Sequence, residues 1–254
     1  MSQILNTSAV GLQALQKNID TLANNIANVN TTGFKKDRVV FADALYQATQ
    51  NPALNAEDSP VSLQLGYGTL ARDVEMVPGD GPLQATGRSL DLALEGDGFF
   101  QVENEDGSRT FTRKGDFSSQ LIDNRYYLVT SQGQFVLDQN GNRISATTDL
   151  EQASIDRTGQ IMIGQASVGS VGRFSFTNPA ELVGDSTLGY QATNASGSAK
   201  GSDAQLHQGS LEGSNVNLGE EMTRLMTSQR VYSLLSRAIT TADQMRATEN
   251  DIRR

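Results

Sequence analysis

The sequence predicts an α+β protein in which long N- and C-terminal helices pair as a coiled-coil-like layer around a central, mainly antiparallel β domain. Two observations predict it. Apolar residues recur every seven positions at both ends of the chain, and between those ends the pattern switches to period two, broken by glycine-rich turns.

The N-terminal pattern begins almost at once. Leu5, Leu12, Ile19 and Ile26 are spaced by seven, and Leu15, Leu22 and Val29 fill the complementary row that Ser8 starts. This a/d seam predicts a helix from about residue 4 to 30, roughly 40 Å long. The stretch "NNIANVNTTGFKK" then packs Asn24, Asn25, Asn28 and Asn30 into its last turns, although asparagine is a poor helix former. Gly33 can supply a left-handed cap there, Phe34 can anchor the exit, and Lys35 and Lys36 stand at the negative end of the helix dipole.

The C-terminal pattern matches it. Leu218, Leu225, Tyr232 and Ile239 are spaced by seven, with Leu235 and Ala242 in the second row. Asn217 can cap the start, with Glu220 three residues on. Glu220 and Glu221 at the start, and Arg246, Arg253 and Arg254 near the end, suit the dipole.

Between the helices, "VSLQL" (61–65), "LARDVEMV" (70–77), "LDLAL" (90–94), "FFQVE" (99–103), "RTFTR" (109–113), "YYLVT" (126–130), "QFVLD" (134–138), "QIMI" (160–163) and "GRFSF" (172–176) read as short strands. Turn sequences such as "PGDG", "EGDG" and "QNGN" punctuate them. The expected organisation is an N-terminal helix over 1–36, an extended arm over 37–70 and a β domain over 71–183. An irregular return connection over 184–214 and a C-terminal helix over 215–254 complete it.

Composition narrows the function. With 29 acidic against 20 basic residues the net charge is −9, the wrong sign for a nucleic-acid binder. No cysteine is present, which excludes disulfides and thiolate metal sites. No run approaches the ~18 apolar residues of a membrane span, so no membrane insertion is expected. The opening residues lack the basic and apolar regions of a cleavable secretory signal.

Catalytic patterns fail on inspection. "GYGTLA" matches G-x-G-x-x-A, but strand-like sequence follows where a dinucleotide site needs a helix. "DQNGNRISATTD" has calcium-loop spacing, yet Arg143 stands where the sharp turn needs glycine. His207 is the only histidine, which rules out a multi-histidine zinc site, and it lies in polar loop sequence that reads as an exposed bystander and not a catalytic base. The expectation is no enzyme, no cofactor and no metal.

The ends carry a further pattern. "LANNIANVNTTGFK" (22–35) and "GSLEGSNVNLGEEMTRLMTSQRVYSLLSRAITTADQM" (209–245) resemble the terminal signatures of the bacterial flagellar rod and hook proteins. "LDLALEGDGFFQV" and "FTRKGDF" resemble that family's shared β core. Within the family, residues 45–69 resemble a segment carried by distal rod subunits, with the proximal rod as the alternative. The resemblance departs at "SSQLIDNRYYLVT", where the family more often has a D-x-x-G turn.

The resemblance implies a structural subunit that polymerises helically into the flagellar drive shaft. It implies export by the flagellar type III apparatus without a cleaved signal, and a place in the extracytoplasmic, periplasm-spanning basal body. Other rod and hook proteins and the surrounding rings would be its partners, besides further copies of itself. A soluble β-rich enzyme and a membrane-surface adaptor are the readings from other classes.

On this reading Leu5, Leu12, Leu15, Ile19, Leu22 and Ile26 face Leu218, Leu225, Leu235 and Ile239 within the chain. Asn24, Asn25, Asn28, Asn30, Gly33, Phe34, Asn215, Asn217, Glu221, Met222, Gln229, Arg230 and Tyr232 are expected to meet other subunits. Amides there would fix register more than they add stability.

Overall fold

The computed structural model describes residues 2–43, 46–49, 63–66, 69–185 and 189–252. The chain forms two compact units. One takes Met1–Asn24, Arg38–Val74 and Gly219–Arg254, and the other takes Asn25–Asp37 and Glu75–Leu218.

The first unit holds most of both helices, α1 (Ser2–Ala27) and α2 (Leu218–Ile252, 35 residues). α1 stops at Ala27, short of the expected residue 30, because a run of tight turns replaces it: Asn28 N–H donates to the Asn25 carbonyl and Thr31 N–H to that of Asn28. α2 starts directly after Asn217, with Glu220 and Glu221 in its first turn and an i,i+4 pair from Arg224 to Glu220 at 2.6 Å. Arg253 and Arg254, expected at its far end, lie outside the described residues.

Part of the expected arm is strand. Asp37–Asp43 pairs with Thr69–Met76, and Tyr46–Thr49 pairs antiparallel with Leu63–Gly66. Within "DRVVFAD" Val39 is buried, while Phe41, two residues on and so on the same face of the strand, is 45% exposed. The rest of that segment falls outside the described residues.

The second unit is built around a ten-stranded sheet with Phe99–Glu103 near its middle. That strand pairs with Arg109–Thr112, Phe135–Val136 and Arg173–Ser175, all antiparallel. Its side chains alternate into separate apolar clusters. Phe100 and Val102 join Leu92, Leu94, Phe117, Leu128, Ile161 and Leu206, while Phe99 joins Met76, Phe111, Phe176, Leu182 and Tyr190. Edge-to-face rings hold both clusters, as in Phe100–Phe117 at 5.1 Å and Phe111–Phe176 at 4.8 Å.

The departure at "SSQLIDNRYYLVT" is a hairpin. Phe117–Ile122 pairs in register with Arg125–Thr130, and the turn is Asp123 (φ 49°) and Asn124 (φ 62°). Both residues are left-handed, as a two-residue hairpin turn requires, and Asp and Asn tolerate that conformation.

The return connection, expected to be irregular, carries short strands among its described residues. Gln205–Gln208 pairs with Leu92–Glu95, and Ser210–Glu212 pairs with Leu83–Ala85. Gly189–Gln191 and Lys200–Gly201 join the large sheet. The end of the unit is thus sewn back onto its beginning, and the expected β domain extends well beyond residue 183.

Candidate assembly site and chain junction

Within the second unit, the residues after α1 meet those before α2 and two β segments. Gly33 is left-handed (φ 66°), and a Cβ on it would stand 2.6 Å from the Arg113 carbonyl carbon. Its N–H donates to the Glu212 carbonyl at 2.8 Å. Gly33 therefore ends a series of turns six residues beyond the helix and does not cap it.

Lys35 departs from expectation. Its side chain is 4% exposed, and Nζ donates to Glu212 Oε1 and to the Gly79 carbonyl, each at 2.6 Å. Burial holds its pKa below the usual lysine value, the Arg113 charge pushes the same way, and Glu212 opposes both. Glu212 is the shared anion. Its Oε2 accepts from Arg113 Nε at 2.6 Å, and its Oε1 also accepts from Gly81 N–H at 2.8 Å.

Arg113 directs its remaining donors to the Gly96, Gly98 and Leu94 carbonyls and to Asp80 Oδ1. Every guanidinium N–H is thereby matched. A cavity of about 140 Å³, lined in part by Arg113, Lys35, Phe99 and Phe176, receives no free donor from Arg113. The cluster works as a fastening.

Asparagines complete it. Asn25 is 1% exposed; its Oδ1 accepts from Asp37 N–H and its Nδ2 donates to the Asp37 carbonyl, both at 2.9 Å. Asn215 Oδ1 accepts from Lys36 N–H at 2.7 Å, and its Nδ2 donates to the Val77 carbonyl at 3.1 Å. Asp37, half-buried, has its carboxyl pushed from 3.8 to about 6 by desolvation.

Of the residues expected to meet other subunits, Asn25, Gly33, Phe34, Asn215 and Glu221 are bonded or buried inside the chain. Asn24, Asn30, Asn217, Met222, Gln229, Arg230 and Tyr232 are exposed, and Asn28 is half-buried. Sequence reasoning missed Lys35, Asp80, Arg113 and Glu212 as a set. The signal was present in part, since "GSLEGSNVN" places the lone anion Glu212 in an otherwise uncharged stretch, but "FTRKGDF" sets Arg113 beside Lys114 and Asp116 and does not single it out.

Within the first unit, the sheltered positions of α2 are Glu221, Leu225, Ser228, Leu235, Ile239 and Ala242, an a/d spacing. On α1, Ala14, Thr21 and Leu22 are buried, with Leu12, Leu15 and Ile19 half-buried. Asn18 Nδ2 donates to Ser228 Oγ at 3.0 Å. Leu218, expected in the seam, is 39% exposed, because it stands at the first position of α2. The Leu5 side chain lies outside the described residues. Met226, Leu234 and Met245 are each close to 60% exposed (58%, 63% and 58%), an unusual surface for a helix of this length.

Among the described residues no group of three or more His, Cys, Asp and Glu could hold a metal, and no helix is long and apolar enough to cross a membrane. His207 Nε2 lies 2.6 Å from Glu95 Oε2 on neighbouring strands.

Comparison with known families defines the class. Residues 5–35 match the "Flagella basal body rod protein" family, residues 93–163 the "Flagellar hook protein FlgE/F/G D1 domain", and residues 207–252 the "Flagellar basal body rod FlgEFG protein C-terminal" family. The chain belongs to the flagellar basal-body rod protein family, whose members are structural proteins and not enzymes.

Particular relatives sharpen this. The chain is 37% identical to the flagellar basal-body rod protein FlgG of Borreliella burgdorferi over 273 aligned positions covering all of both chains. It is 35% identical to FlgG of Bacillus subtilis over 96% of this chain and 97% of that one. It is also 33% identical, over all of both chains, to the flagellar hook-basal body complex protein FlhP of Bacillus subtilis.

Proposed function

We propose that this chain is a subunit of the distal flagellar rod, polymerising helically into the shaft that transmits torque to the hook. One observation carries the reading: likeness to FlgG proteins runs from end to end of the chain, at 37% identity to that of Borreliella burgdorferi. The second reading is a proximal rod subunit of the same family; the likeness to the flagellar hook-basal body complex protein FlhP over the same length fits either place.

The mechanism follows from the division of labour among the residues. α1 and α2 share one unit, and the sheltered rows on both, with the Asn18–Ser228 bond, support a coiled-coil-like pairing inside the chain. The exposed apolar residues Met222, Met226, Leu234 and Met245 are then left for further copies. A shaft under torque must resist slipping, and the exposed amide of Asn30 offers a donor and an acceptor that fix register where apolar contacts alone could slide. The partners are further copies of the chain, other rod and hook proteins, and the rings around them. Export would pass through the flagellar type III apparatus, with the working position beyond the cytoplasmic membrane.

Electron microscopy of the purified protein at rising concentration tests this. Tubes with helical order are expected. A chain that stays monomeric at high concentration, with both helices fully protected from amide exchange, would overturn it.

A further inference from the structure

The charge balance at the junction is exact only when every segment is present. Lys35 and Arg113 face Glu212 and Asp80, and of these only the Asp80 side chain, 49% exposed, reaches water. Remove the segment carrying Lys35, and Arg113 keeps Glu212 at 2.6 Å and Asp80 at 2.7 Å. Every buried charge remains paired. Remove the segment carrying Glu212, and two buried cations that already repel each other share one half-exposed carboxylate. Stranding a buried charge costs far more than leaving a pair unmade.

We propose that the junction is a one-way latch. The C-terminal lead-in, Glu212–Val216, can seat on the β unit alone, whereas the N-terminal exit, Gly33–Lys36, can seat only after it. Two backbone bonds are neutral to that order, Val77 N–H to the Lys36 carbonyl and Asn215 N–H to the Phe34 carbonyl, and the others agree with it. Gly33 N–H and Lys36 N–H both donate to the lead-in, at the Glu212 carbonyl and Asn215 Oδ1. The lead-in has anchors independent of the exit: Gly213 N–H donates to the Pro82 carbonyl, and Ser210–Glu212 pairs with Leu83–Ala85. Lys35 and Glu212 are 177 residues apart. The exit, made first, therefore has no buried counter-charge for Lys35 until nearly the whole chain exists. This inference rests on the cluster alone and holds whether or not the chain assembles.

Hydrogen–deuterium exchange on the full-length chain, resolved at 33–37 and 210–216, tests it. Glu212→Gln should speed exchange at 33–37 by about tenfold or more while the Phe99–Glu103 and Arg109–Thr112 hairpin stays protected. Lys35→Met should leave 210–216 within about twofold of the parent. Unchanged protection at 33–37 in the first variant, or equal loosening of both segments in the second, would overturn the latch. If Glu212→Gln unfolds the whole unit, adding Lys35→Met removes the stranded cation and must restore protection in the hairpin; failure to restore it overturns the proposal as well.

Discussion

Asn25 and Asn215 do the same work on two sides of the junction: each amide satisfies backbone groups that turning the chain would otherwise orphan. Asn25→Ala would leave the Asp37 N–H and carbonyl without those partners, at a cost of about 1–3 kcal/mol, to be read as a lower urea midpoint. Asp37 adds a pH dependence. Its folded pKa, about 6, lies above the unfolded 3.8, so between these values the folded chain holds a proton that the unfolded chain has released. The contribution is therefore greatest in acid and is lost as pH rises through about 6. Relative to Asp37→Asn, the parent should lose stability over that window; a parallel pH profile would contradict it. The asparagine run was legible as unusual, but its division was not. Nothing in "NNIANVN" distinguishes Asn25, which folds inward onto Asp37, from exposed Asn24, because the difference depends on where the chain returns twelve residues later.

At the scale of elements, the helices and the longer strands were readable because their periodicity runs for many residues. The return connection was not. Gln205–Gln208 buries Leu206 but offers too little alternation to count, and Ser210–Glu212 is short. Those strands exist because Leu92–Glu95 and Leu83–Ala85 present edges to pair with, a tertiary cause that local pattern cannot carry. The helices make the opposite case, with strong local pattern and little core of their own. In the free monomer, α1 and the C-terminal half of α2 should exchange their amides much faster than the central sheet, because isolated amphipathic helices are marginal in water. Equal protection of helices and sheet would count against that.

For the molecule as a whole, family likeness at both ends and in the centre coincides with where the structure invests its buried charge. The terminal signatures contain Lys35 and Glu212, and the central motif "FTRKGDF" contains Arg113. The exposed apolar residues of α2 are the surface proposed to meet further copies. Met226→Lys with Leu234→Lys should leave the second unit's unfolding transition unchanged, since both residues are exposed and belong to the other unit, yet prevent tube formation in sedimentation. Tubes of normal length from that variant would move the subunit contact elsewhere.

The central claim is a place in the rod. Basal bodies isolated from the cells that make this chain can be labelled with gold-conjugated antibody against it and imaged by electron microscopy. Gold along the shaft between the rings and the hook is the predicted result. Intact basal bodies that carry no gold on the shaft, from cells that contain the chain elsewhere, would contradict it.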